Sequence, residues 1–192
     1  MDELKLVRLD RRHLGEFERL LSGREFGGCF CSHWLVPFTE WDARYRERKA
    51  ESFEDVRRRV QEGGHVGYLV LRENDGAVVG WTGAGPKTAF PAMKERPGSR
   101  LGPCEDSIWA VGCMAIAFAY RGLGYAPEIV RLVVVEARKA GAKAVEATPL
   151  EANEDGGAFR LGKALYERHG FAQTGREEVD GRAVLRMEKV LS

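Results

Sequence analysis

The chain has 192 residues, 44% of them hydrophobic and 31% charged. That suits one domain spanning 1–192 with a core that buries about 70% of the unfolded surface, and it excludes disorder. Lys plus Arg total 30 against 29 Asp plus Glu, a formal net charge of +1, which argues against bulk binding to nucleic acid.

No apolar run approaches the roughly 18 residues of a membrane span. The start, Met1-Asp2-Glu3-Leu4-Lys5, is too charged for a signal peptide. The expected setting is therefore the reducing cytoplasm, with no membrane partner and no disulfides.

Lys5–Leu9 alternates and predicts a first strand. Asp10 can cap a helix with Leu14, Phe17, Leu20 and Leu21 on one face, ending near Gly23. A long loop rich in aromatics follows: Phe26, Phe30, Trp34, Phe38 and Trp41. Within it Cys29, Cys31 and His33 offer three soft ligands. A zinc site needs a fourth, and no second CxxC or HxxxH supplies one. The segment reads as a half-buried aromatic loop and no metal is expected, a metal-binding module being the alternative. A second helix starts near Ser52 and stops at Gly63-Gly64.

Val66–Leu71 and Ala77–Thr82 flank Glu73-Asn74-Asp75-Gly76 and predict an antiparallel hairpin. Residues 83–106, punctuated by Gly and Pro, read as a long loop of the functional or mobile kind. Ile108–Ile116 is a buried strand, Pro127–Ala140 a helix, Ala144–Thr148 a short strand and Ala158–His169 a helix ended by Gly170. Phe171–Val179 and Arg182–Val190 form a last hairpin around Asp180-Gly181. The order β-α-α-β-β-β-α-β-α-β-β predicts an α/β (α+β) fold, a mixed sheet with helices on its faces.

The stretch Ile116 to Pro127 carries the chemistry. A strand runs into a turn with Gly122 and Gly124, then into a helix with Pro127 in its first turn. Two glycines one residue apart remove the Cβ atoms that would hold a phosphate off the backbone. Successive amides and a helix N-terminus then favour an anion, and Arg121 adds a cation. A steric turn is the plainer alternative. A dinucleotide fingerprint needs a third glycine where Pro127 stands. A Walker loop over Gly80–Thr88 is broken by Pro86.

Ile116-x-Phe118-x-x-Arg121-Gly122-x-Gly124-Tyr125-Ala126 resembles the acetyl-CoA signature of the GNAT superfamily of N-acetyltransferases, with Phe118 in place of the usual Pro. Ala164-Leu165-Tyr166-Glu167-Arg168-His169-Gly170-Phe171 resembles the family's second motif, at the expected distance downstream. The resemblance implies a mostly antiparallel sheet of about six or seven strands, with a splay between two central parallel strands. It implies acetyl-CoA as co-substrate, its pantetheine arm against Met114, Ala115 and Ile116, and its pyrophosphate on Arg121, Gly122, Leu123, Gly124, Tyr125 and Ala126. An amide near Met114 would polarise the thioester carbonyl.

It further implies transfer of the acetyl group to the amine of a small molecule by direct attack, with Tyr166 as the acid for the leaving thiolate. An alkylamine is only about one part in 10³ neutral at pH 7, so a base is wanted. Glu105, beside Asp106, is the candidate, with His33 and His65 as alternatives. The asparagine common before the motif tyrosine is replaced by Phe159, and Asn153 lies earlier. Trp34, Trp41 and Trp81 are candidates for an acceptor pocket. A non-catalytic acyl-CoA sensor of the same fold remains an alternative, and a homodimer is left open.

Overall fold

The computed structural model describes residues 2–151 and 162–191. Seven strands form one sheet: β1 (Leu4–Arg8), β2 (Tyr68–Arg72), β3 (Val78–Pro86), β4 (Ile108–Ile116), β5 (Ala144–Ala147), β6 (Ala172–Val179) and β7 (Arg182–Val190). Their spatial order is β1-β2-β3-β4-β5-β7-β6, and every pair is antiparallel except β4 with β5. The expected sheet of six or seven mostly antiparallel strands is what the chain forms.

The helices divide between the two faces. Helix α4 (Tyr125–Lys139) buries Ile129, Val130, Val133 and Ala137 against Val79, Val111, Val145 and Leu185. Helix α5 (Lys163–Arg168) adds Tyr166 to that layer. On the other face α1 (Leu14–Leu21) and α3 (Lys49–Gln61) bury Phe17, Leu21, Val56 and Val60 against Leu69, Trp81 and Ala115. Each fully buried aliphatic side chain contributes roughly 1.5–3 kcal/mol. No described helix is long and apolar enough to cross a membrane.

Two expectations are corrected. The aromatic loop contains a helix, α2 (Phe38–Glu47), entered from Pro37. Phe38, Trp41 and Tyr45 recur at helical spacing, but Arg and Glu dilute the periodicity. Strand β3 does not stop at Thr82: Gly83, Ala84, Gly85 and Pro86 pair with Cys113, Val111, Ala110 and Trp109. The glycines there serve close packing. A Cβ on Gly85 would lie 2.2 Å from His65 Nε2, and one on Gly83 would lie 2.8 Å from Cys31 Sγ. The loop after β3 is then three short 3-10 turns spanning Lys87–Ala89, Pro91–Lys94 and Ser99–Leu101.

The last hairpin turns through Asp180 (φ 50°) and Gly181 (φ 72°), the two positive φ values of a primed two-residue turn. The N-terminal part of the helix expected over Ala158–His169 lies outside the described residues, as do Asn153 and Phe159.

Candidate active site

Strands β4 and β5 pair only from Ile108↔Ala144 to Val111↔Ala147. Beyond that, β4 runs on through Ile116 with β3 as its partner: Met114 opposite Thr82, Ala115 opposite Trp81, Ile116 opposite Gly80. The chain after β5 stays with β7, where Leu150 bridges Val184 and Leu185 N–H donates to Pro149 O. A gap therefore opens in the middle of the sheet, and backbone groups of residues 112–116 border it.

A bulge sets which side chains flank the gap. The register with β3 shifts between Gly83↔Cys113 and Ala84↔Val111, so Gly112 is an extra residue. Before it Trp109 and Val111 face the α4 layer and Ala110 the opposite one; after it Met114 faces α4, and Cys113 and Ala115 the other face. Gly112 itself lies under Trp34, with a Cβ position 2.9 Å from Trp34 Nε1.

The gap leads to the glycine turn. A 3-10 turn (Phe118–Tyr120) follows Ile116, and Arg121 Nε donates to Ile116 O at 2.9 Å. The Arg121 guanidinium lies 5.6 Å and 5.7 Å from the Phe26 and Phe118 ring centres. Gly122 (φ 76°) and Gly124 (φ 79°) are left-handed, and an added Cβ on either would meet nothing within 4 Å. Glycine is thus required there by backbone conformation, and the space it faces is open. Gly124 is the N-cap of α4 and no side chain caps the helix, so the first N–H groups lack intrahelical partners. Leu123 is exposed, while Tyr125 is buried, its hydroxyl held by the Asp2 carboxylate; that hydrogen bond, with burial, raises the phenol's pKa. Ala126 packs at the edge of the α4 core.

Tyr166 is buried on α5, edge-on to Phe171 at 5.4 Å, in the same apolar layer as Met114 and Tyr125. Glu105 is not brought to this place. It sits exposed before β4, at the end of the strand that pairs with β5, whereas the gap opens at the other end. Asp106 beside it is held by the Thr88 hydroxyl.

On the face opposite Tyr166, a cavity of about 290 Å³ reaches the sheet at Gly112 and Cys113. Trp34, Trp41 and Trp81 all line it, as do Phe26 and Tyr45. His33 lies between two of the indoles, edge-on to Trp34 and to Trp41, each at 4.7 Å. The Trp81 indole N–H donates to Cys31 Sγ at 3.0 Å and the Trp41 indole N–H to Cys29 Sγ at 3.4 Å.

The sequence model of the acetyltransferase (GNAT) family matches residues 31–171, which include part of the cavity wall, β4, the glycine turn and Tyr166. The chain belongs to the GNAT acetyltransferase family. Among solved structures, a GNAT-family protein from Desulfovibrio desulfuricans superposes with a TM-score of 0.61 at 15% identity, covering 99% of each chain. The aminoglycoside acetyltransferase AAC(6')-Ib bound to coenzyme A gives 0.61 at 13% identity, over 98% of this chain and 95% of that one. A chimera of the Vibrio cholerae spermidine N-acetyltransferase SpeG with hSSAT gives 0.60 at 14%, over 97% and 94%. At these identities the likeness is one of fold. No curated protein sequence matches the chain.

Three features of this GNAT chain escape sequence reasoning. Tyr45 joins the cavity only because α2 exists. Cys31 and Cys113, 82 residues apart in sequence, face each other sulfur to sulfur beside Trp81, where no disulfide is expected; their Cα atoms are 7.1 Å apart, just beyond the usual span of one. The segment carrying the cysteines is strained: Gly27, Gly28, Phe30 and Cys31 all have φ between 49° and 70°. Left-handed backbone costs a residue with a Cβ roughly 1–2 kcal/mol. Among the described residues no group of three or more His, Cys, Asp and Glu could hold a metal ion.

Proposed function

We propose that the protein is an acetyl-CoA-dependent N-acetyltransferase acting on a small-molecule amine by direct attack. The observation that carries this reading is the divergence of β4 from β5 beside an open, doubly glycine turn at the mouth of α4. The residues fit the co-substrate. Gly122 and Gly124 leave room where side chains would stand, the amides of Gly122, Leu123, Gly124, Tyr125 and Ala126 offer donors to a pyrophosphate, and Arg121 supplies a cation. Met114, Ala115 and Ile116 offer the backbone edge along which a pantetheine arm can pair.

In this reading the amine nitrogen attacks the thioester carbonyl carbon. A β4 amide near Met114 binds the developing oxyanion. The C–S bond breaks, the amine gives up a proton, and the thiolate takes one from the Tyr166 hydroxyl. The two proton transfers fall to opposite faces of the sheet: Tyr166 is in the α4 layer, and His33 is in the cavity on the other side. His33 lines the cavity that reaches Gly112 and Cys113, while Glu105 is exposed before β4, which favours His33 as the group that relieves the amine of its proton. Imidazole is also the one side chain with an ordinary pKa suited to that task near neutrality.

The test is calorimetry of acetyl-CoA with the purified chain, followed by acetyl-CoA-dependent thiol release across an amine panel. Saturable binding and release with at least one amine support the reading. No measurable affinity for acetyl-CoA sinks it.

A further inference from the structure

We infer that the cavity between α2 and the bulge of β4 is the acceptor site, and that its acceptor is a compact arylalkylamine: one aromatic ring on a short arm that ends in a primary amine. This inference rests on the N-acetyltransferase reading above and narrows its acceptor.

The first argument is chemical. None of the described residues lining the cavity is Asp or Glu; the walls are indole, phenyl, phenol, imidazole, thiol and leucine. The Trp41 and Tyr45 rings are stacked with centres 5.4 Å apart. Such walls reward an apolar, planar body, and the faces of Trp and Tyr attract an ammonium without neutralising it. They also strip water from the amine, which disfavours the charged form and raises its neutral, nucleophilic fraction.

The second argument is electrostatic. Most carboxylates of α2 and α3 are matched by arginines. Glu40 pairs with Arg44 and Arg48, Asp42 with Arg46, and Asp55 with Arg44 and Arg58. A polyamine or an aminoglycoside, with several ammonium groups, would find no carboxylate among the lining residues.

The third argument is size. About 290 Å³ lies just below the roughly 300–1,000 Å³ usual for ligand pockets. One ring and a short arm fit; a multi-ring sugar does not. The floor is the backbone of Gly112 and Cys113, at the point where β4 leaves β5. A ring seated among Trp34, Trp41 and Tyr45 would aim its amine at the gap.

The experiment compares 2-phenylethylamine, spermidine and kanamycin in the thiol-release assay with the full chain, after acetyl-CoA binding is measured by calorimetry. Phenylethylamine should have a kcat/KM at least about tenfold above the other two. Trp41→Ala should raise its KM about tenfold and leave the KM for acetyl-CoA unchanged. Cys29→Phe, which narrows the cavity without removing a wall, should do the same. Faster turnover of spermidine or kanamycin overturns the inference and leaves the N-acetyltransferase reading intact. So does acetyl-CoA binding with no turnover of the arylalkylamine. Absence of acetyl-CoA binding overturns both.

Discussion

Lys87 and Glu146, 59 residues apart in sequence, form an ion pair in the interior, with Nζ 2.7 Å from Oε2 and neither side chain more than 1% exposed. Lys87 also donates to Ser99 O at 2.7 Å and Gly102 O at 3.2 Å, and Arg186 donates to the other Glu146 oxygen. The pair fastens the loop after β3 to the centre of β5, next to the point where β5 leaves β4.

Removing the carboxylate leaves Lys87 buried with only the Ser99 and Gly102 carbonyls, so Glu146→Gln is expected to lower unfolding free energy by about 3–5 kcal/mol in urea titrations. Lys87→Met leaves Glu146 paired with Arg186 and is expected to cost less. A loss below about 1 kcal/mol for both would show that the pair is not buried in solution.

Gly124 separates conformation from bulk. At φ 79° an Ala side chain meets open space, so its cost is the roughly 1–2 kcal/mol of left-handed backbone. Gly124→Ala should lower stability by that much and, by placing a Cβ where the phosphate would approach, weaken acetyl-CoA binding less than a charged side chain does. Gly124→Glu adds a carboxylate where the phosphate is proposed to sit, and should weaken binding at least tenfold by calorimetry. Equal affinity in the two variants contradicts the phosphate seat.

Tyr166→Phe removes one hydroxyl from a packed ring. If that hydroxyl protonates the leaving thiolate, kcat should fall by about 10²-fold or more while the KM for acetyl-CoA holds. An acyl-CoA sensor would show no turnover in either form, so the parent activity and the size of the loss distinguish the two.

His33→Gln tests the cavity base. The variant should lose at least about tenfold in kcat at neutral pH while the KM for acetyl-CoA holds. An unaltered kcat assigns the base elsewhere.

Much of this was legible in the sequence because it is local. The β2–β3 hairpin, the α4 stripe of Ile129, Val130, Val133 and Ala137, and the turn at Gly122 and Gly124 each declare themselves within one window. The expectation that Trp34, Trp41 and Trp81 share a pocket also holds. What failed was non-local. Gly83 and Gly85 resemble loop punctuation, but they are glycines because Cys31 and His65 press on the sheet there. Lys87 reads as a loop cation, and only β5 makes it a buried one. Where Glu105 stands relative to the gap was equally hidden: it precedes β4 at the end that pairs with β5, and the gap opens at the other end.

His65 yields a prediction about stability. Its ring Nε2 lies 2.7 Å from Ala84 O, and the ring packs edge-on to Tyr68 at 5.2 Å. Burial lowers its pKa most; the hydrogen bond to Ala84 O opposes this, and the charges of Arg8 and Arg59 lower it further. The native state therefore holds the ring neutral, while the unfolded chain binds a proton near pH 6.5. Below about 6.5 the unfolded state carries more protons, so stability is full above that pH and falls as pH drops toward the lower native value. His169 acts in the same direction through burial and Lys189. Melting temperatures from pH 8 to 5 should fall on the acid side in the parent. His65→Gln keeps a donor for Ala84 O and cannot titrate, so its fall should be shallower, and His65→Gln with His169→Gln should flatten it further. Parallel curves for parent and variants would mean that these imidazoles bind protons equally in the folded and unfolded states.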